Sequence, residues 1–148
     1  VTKLCCRWLG TAKRVQMYDG STNECTLCKA EETQQHIFQC KKEHRQSWRA
    51  QFIINLSKQL EKLGTEPRIA DEIKEGLDSW LSQRPSNGHW DIQTKIGWEP
   101  FFYGYIAAEW GHKQQEHINT QDTQTNKQTA YIWAMKLIQF LWQQSYVA

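Results

Sequence analysis

The chain has no run of about 18 apolar residues, the length a helix needs to cross a bilayer. It also shows no apolar h-region of the signal-peptide kind near its start. It carries no P-loop and no Gly-x-Ser-x-Gly elbow, so neither a phosphate cradle nor an activated serine is encoded by a recognisable motif. Paired aspartates on a hairpin, which a two-metal polymerase site requires, are missing too. Their nearest echo is Tyr18-Asp19-Gly20, a single acid at a turn. Asp71, Glu72, Glu75 and Asp78 read as the solvated side of a helix beside the Ile73/Leu77 stripe. No period-2 strand pattern and no internal repeat is visible. The expectation is a non-enzymatic, all-α chain with no membrane partner and no small-molecule substrate. Charge of one sign is not dominant either. A net charge of +2 and a pI near 8.3 permit nucleic-acid binding without demanding it.

Against those absences stand 5 Cys and 8 Trp in 148 residues. The tryptophans argue for helices that bury substantial area. An odd cysteine count, without a secretory leader, predicts reduced thiols in the nucleus or cytoplasm rather than a disulfide framework. Adjacent Cys5 and Cys6 read as buried and inert. The first residue is Val and the last lie in an apolar segment, so the chain reads as a piece of something longer.

Four residues carry most of the information: Cys25, Cys28, His36 and Cys40. A Cys-x2-Cys pair lets two thiolates from one turn grip a single ion, and a His and a Cys four apart share one face of a helical turn. Three sulfurs and one imidazole suit a closed tetrahedral zinc site with no position open to water, which makes it structural rather than catalytic. Such an ion contributes on the order of 10–16 kcal/mol of apparent binding free energy, available only to the folded state. A segment whose own core is just Leu27, Ile37 and Phe38 needs that contribution. His44 also lies four residues from Cys40, so the quartet Cys25, Cys28, Cys40 and His44 stays open on spacing alone.

The remaining pattern predicts helices. One is expected over 3–18, interrupted near Gly10, before a turn at Asp19-Gly20-Ser21. Thr33 is placed to cap a short helix carrying His36 and Cys40. An amphipathic helix over 41–63 shows Trp48, Phe52, Leu56, Leu60 and Leu63, and Gly64 ends it. Thr65 with Pro67 opens the next, whose stripe is Ile69, Ile73, Leu77, Trp80 and Leu81. After a loop at 83–88, a third helix is expected from about Glu99 to His117, with Phe102, Tyr105, Ile106 and Trp110 inward. Residues 119–128 contain no apolar side chain and read as a linker. A last helix from about Ala130 to Tyr146 is apolar on so much of its circumference that it needs partners on more than one side. This divides the chain into 1–42 (first helix and zinc knuckle), 43–118 (helical region), 119–129 (linker) and 130–148 (last helix).

The stretch Trp8-Leu9-Gly10-Thr11, then Cys25-Thr26-Leu27-Cys28, Glu32-Thr33 and His36-Ile37-Phe38-Gln39-Cys40 resembles the zinc-binding segment that follows the polymerase region in reverse transcriptases of non-LTR (LINE-like) retrotransposons. That family shows a Trp-Leu-x-Thr helix, Cys-Pro-Leu-Cys, an acidic-Thr pair and His-hydrophobic-hydrophobic-x-Cys; Thr26 stands here where the family has Pro. Ile96-Gly97-Trp98, with Phe101, Gly104, Ile106 and Trp110, and the Trp133–Trp142 helix look like the helical region of such proteins more loosely. The resemblance implies Cys25, Cys28, His36 and Cys40 as the zinc ligands. It also implies an accessory module touching RNA or DNA, attached to the remainder of a larger polyprotein. The basic run Lys41, Lys42, His44, Arg45 and Arg49, with Lys13 and Arg14 upstream, is the expected phosphate-binding surface. Trp48 or Phe38 is available to stack on an unpaired base. The alternative is a structural or protein-interaction module in which zinc only stabilises the fold.

Overall fold

A computed structural model of the chain describes residues 11–85, 91–121 and 129–145. Within them the architecture is all-α, as expected, with eight helices and a single isolated antiparallel bridge between Glu24 and Glu31. The helices are α1 (Ala12–Asp19), α2 (Gln34–Gln39), α3 (Glu43–Lys62), α4 (Pro67–Leu81), α5 (Asp91–Ile96), α6 (Trp98–Phe102), α7 (Ala108–Thr120) and α8 (Ala130–Ser145).

Periodicity placed the core well. Phe52, Leu56, Leu60 and Leu63 of the α3 segment are buried against Ile69, Ile73, Leu77 and Leu81 of α4 in one cluster. Trp48 is half-buried, stacked on Phe52 with ring centroids 5.3 Å apart. The α3–α4 corner is a left-handed helix end. Gly64, at φ 60°, donates to the Glu61 carbonyl at 2.9 Å, and Thr65 donates to the Leu60 carbonyl at 3.0 Å. It is Glu66, not Thr65, that caps α4, its carboxylate accepting from the Ile69 amide at 2.9 Å. Thr65 is buried instead, and its hydroxyl accepts the indole N–H of Trp133 at 2.8 Å. α8 meets α3, α6 and α7, which answers its broad apolar surface.

The helix expected from Glu99 to His117 is broken. α6 ends after one turn at Gly104, φ 99°, whose amide donates to Phe101 at 3.0 Å while Tyr105 donates to Pro100 at 3.1 Å. Tyr105, expected inward, is exposed, and Ile106 is half-buried. What holds the break open is Gln93, fully buried on the unexpected helix α5. Its amide nitrogen donates to the Gly97 and Tyr105 carbonyls at 3.1 and 2.9 Å, and its oxygen accepts from Ala107 at 2.9 Å. α7 then runs through Thr120, past the expected start of the linker. Residues 122–128 of that linker, Cys5 and Cys6, residues 3–10 of the expected first helix, 86–88 of the loop and Tyr146 lie outside the described residues.

The knuckle is docked onto the helical body rather than built around a core of its own. Leu27, expected inside it, is 43% exposed, and Ile37 is half-buried. Phe38 is 1% exposed and turns into the main core, stacked on Phe102 at 4.7 Å. A short helix has two faces: here one presents His36 to the cysteines and the other presents Phe38 to the body. Polar contacts reinforce the docking. Gln34 donates to the Tyr103 hydroxyl and Gln39 to the Trp80 carbonyl, both at 2.7 Å.

Candidate metal centre

Two local structures bring the four side chains together. In the first, the chain doubles back between Asn23 and Glu32: Cys25 donates to the Ala30 carbonyl at 2.7 Å and Glu32 to the Asn23 carbonyl at 2.8 Å. Lys29 takes the left-handed conformation at φ 66°, and its amide donates to the Cys25 carbonyl at 2.9 Å, closing the Cys25–Cys28 turn. In the second, Thr33 starts α2 by accepting from the His36 amide at 3.1 Å, and Cys40 donates to the His36 carbonyl at 2.8 Å. One helical turn thus separates imidazole from thiol.

The ligand atoms of Cys25, Cys28, His36 and Cys40 all lie within 4.8 Å of one another, with Cys28 Sγ 3.2 Å from His36 Nε2. Metal–sulfur bonds of about 2.3 Å and metal–nitrogen bonds of about 2.0–2.1 Å place tetrahedral ligands about 3.5–3.8 Å apart. The cluster fits such an ion with a small inward adjustment, so these four residues could hold a metal. His44 is exposed and stands outside the cluster. Cys25 and Cys40 are buried at 3% and 1% exposure, while Cys28 and His36 are half-buried.

The surroundings treat the thiols differently. A hydrogen bond from the Ala30 backbone holds the Cys28 thiol below its ordinary pKa, and the charge on Lys42 acts in the same direction. Burial pushes the Cys40 thiol up, opposed by a backbone hydrogen bond from Lys42. Arg49 reaches the same loop from α3, donating through Nη1 to the carbonyls of Phe38 at 3.1 Å and Cys40 at 2.7 Å. Burial lowers the pKa of its guanidinium, and the charge of Cys40 raises it.

The remaining residues singled out by the sequence take up varied places in the fold. Lys41 and Lys42 are exposed at the start of α3, whereas Arg45 and Arg49 are half-buried. Lys13 forms a half-exposed ion pair with Glu31 at 3.0 Å. Phe38 is too buried to stack on a base, because its ring fills the core. Among the acids of α4, Asp71 pairs with Lys74 at 2.8 Å, Glu72 accepts from the Trp110 indole at 2.5 Å, and Asp78 pairs with Arg84. Asp19 ends α1 and accepts from the Ser21 amide at 2.9 Å; hydrogen bonding from the Ser21 side chain first, and from its backbone second, lowers the Asp19 carboxyl pKa. Sequence reasoning missed the role of Glu32, whose carboxylate accepts from the Ala12 amide at 2.9 Å and caps α1. It also missed the commitment of Arg49 to backbone.

No family model, curated protein or solved structure matches this chain. Among the described residues no helix is long and apolar enough to cross a membrane.

Proposed function

We propose that Cys25, Cys28, His36 and Cys40 bind one structural zinc ion, and that the lobe it closes is a non-catalytic, nucleic-acid-binding accessory module of a reverse-transcriptase-type protein. The observation that carries the metal reading is the convergence of three sulfurs and one imidazole within 4.8 Å. Soft thiolates with imidazole select zinc over the hard oxygen-loving cations, and four protein ligands leave no place for a reacting water. The nucleic-acid reading draws on the quoted motif resemblance. The motif residues act together in this fold: Thr11 caps α1, Glu32 caps it from the knuckle, and Thr33 caps α2. Lys41 and Lys42, exposed beside the centre, supply charge that can displace counterions from phosphates.

The second reading, with the same intracellular placement, is a structural or protein-interaction module in which zinc only stabilises the fold, attached to the remainder of a larger polyprotein. It is favoured by Met17 and Tyr18, exposed at 78% and 73% on α1, and by exposed Leu27. Metal analysis of the purified protein and a salt-dependent titration with single-stranded RNA and duplex DNA test both. One zinc equivalent with salt-sensitive binding supports the first reading. One equivalent without binding at low ionic strength supports the second, and no bound metal overturns the zinc assignment.

A further inference from the structure

We infer that Arg49 is a positioning residue of the metal centre: from α3 it holds the segment that delivers Cys40 and sets a positive charge beside that thiolate. The inference rests on the zinc reading above. Three thiolates and one imidazole around a divalent ion carry a net charge of about −1. Cys40, at 1% exposure, is one of the two ligands furthest from solvating water, the other being Cys25 at 3%. Uncompensated charge at such a place is costly. Arg49 lies half-buried within reach, its Nη1 donating to the Cys40 carbonyl at 2.7 Å and the Phe38 carbonyl at 3.1 Å. Phe38 and Cys40 flank the end of α2, where helix carbonyls lose their intrahelical partners.

One side chain therefore does two things. It fixes the backbone on which Cys40 turns toward the metal and Phe38 turns toward the core, and it offsets the charge that the metal centre leaves. Arginine suits this better than lysine. A planar guanidinium directs several donors at fixed angles, whereas an ammonium is a compact charge on a flexible stem. Removal of outer-shell partners of metal ligands weakens binding by about 10–100-fold.

The test compares the parent protein with Arg49→Met and Arg49→Lys at fixed pH. Zinc affinity is read by chelator competition, and the Co(II)-loaded protein by its thiolate-to-metal absorption bands. Arg49→Met is expected to weaken zinc roughly 10–100-fold and shift those bands. Arg49→Lys should restore part of the loss. The core of Phe52, Leu56, Ile73 and Leu77 should keep the helical body folded in both variants, as far-ultraviolet circular dichroism will show. Equal affinity and unchanged bands in Arg49→Met, with the parent binding one equivalent, overturn this inference alone. So does an equal loss in both variants, since the positive charge retained by lysine would then count for nothing beside the thiolate. Should Arg49→Met fail to fold, Arg49→Lys decides: affinity and bands identical to the parent overturn the inference, and an intermediate loss upholds it. A parent that binds no metal overturns the zinc reading itself and this inference with it.

Discussion

Trp98 occupies the space where a side chain on Gly76 would be: a Cβ built on Gly76 would stand 1.9 Å from Cζ2 of the Trp98 ring. Gly76 is a buried helical residue in α4, and Trp98 opens α6, so this close approach seats one helix on the other. The ring cannot simply retreat, because it packs edge-on to Phe101 at 5.5 Å and against Trp110 at 6.2 Å. Glycine inside a helix costs about 1 kcal/mol relative to alanine, and here the close packing of the two elements is what that cost secures.

Gly76→Ala should therefore destabilise despite its better helix propensity. Overpacking a filled core costs typically about 1–3 kcal/mol or more, and the helix gain of about 1 kcal/mol offsets only part. A net loss of about 1–2 kcal/mol should appear as a Tm lowered by several degrees in thermal unfolding. Adding Trp98→Phe to Gly76→Ala should cost less than the sum of the single changes, because the smaller ring vacates the clash. A Gly76→Ala protein as stable as the parent would refute the packing argument.

The parts of this molecule legible in its sequence are those whose signal is local. The Cys25–Cys28 turn and the His36–Cys40 helical turn each follow from spacing within a few residues, and their mutual approach was the one long step. The stripes of α3, α4 and α8 were readable because burial imposes a period of 3.6. The break at Gly104 was not, since apolar residues continue at helical spacing through it and a lone glycine is compatible with a helix. Its decisive partner, Gln93, comes from a separate helix and satisfies three backbone groups that no local pattern announces. Gln114 acts likewise at the α3–α4 corner, donating to the Gly64 carbonyl at 3.0 Å and accepting from Glu66 at 2.8 Å. A glutamine four residues after Trp110, on its buried face, was the available hint. The two faces of α2 also escaped reading, because six residues do not reveal which side meets the metal and which the body.

Thr65 and Trp133 form a buried pair whose removal should be measurable. Thr65→Val keeps the shape but removes the acceptor, leaving the indole N–H of fully buried Trp133 without its partner. A cost of about 1–3 kcal/mol is expected. Denaturant unfolding should show a lower midpoint with an unchanged slope. In the Thr65→Val background, Trp133→Phe should cost less than it does in the parent, because the unpaired donor goes with it. Strictly additive losses would mean the hydrogen bond contributes nothing.

His36 rather than His44 should be the nitrogen ligand. His36→Ala is expected to release zinc at neutral pH, and Cys28→Ser to do the same with loss of order across the knuckle, because each opens the four-ligand shell. His44→Ala should keep a full equivalent, since that ring lies outside the cluster. Chelator removal of the metal from the parent should loosen the knuckle while Phe52, Leu56, Ile73 and Leu77 keep the helical body packed. Retention of one equivalent by Cys28→Ser would sink the site.

Nucleic-acid binding should be electrostatic and separable from folding. Lys41 and Lys42 are exposed, so changing both to Gln removes charge without disturbing the core. Every phosphate that the protein no longer neutralises should flatten the dependence of log affinity on log salt by about 0.7–0.9. The double change should thus lower the slope by roughly 1.4–1.8, and adding Arg45→Gln should bring the reduction to roughly 2 or more. Arg45 is half-buried, and its Nη1 is buried with no hydrogen-bond partner among the described residues. Its replacement therefore tests whether that nitrogen serves a phosphate or the fold, and zinc content and Tm in the triple variant tell the two apart. Arg49 stays outside this set because its Nη1 already serves the Phe38 and Cys40 carbonyls. A triple variant that binds as tightly as the parent, with zinc and Tm intact, would remove Lys41, Lys42 and Arg45 from the interface and leave the protein-interaction reading as the better account.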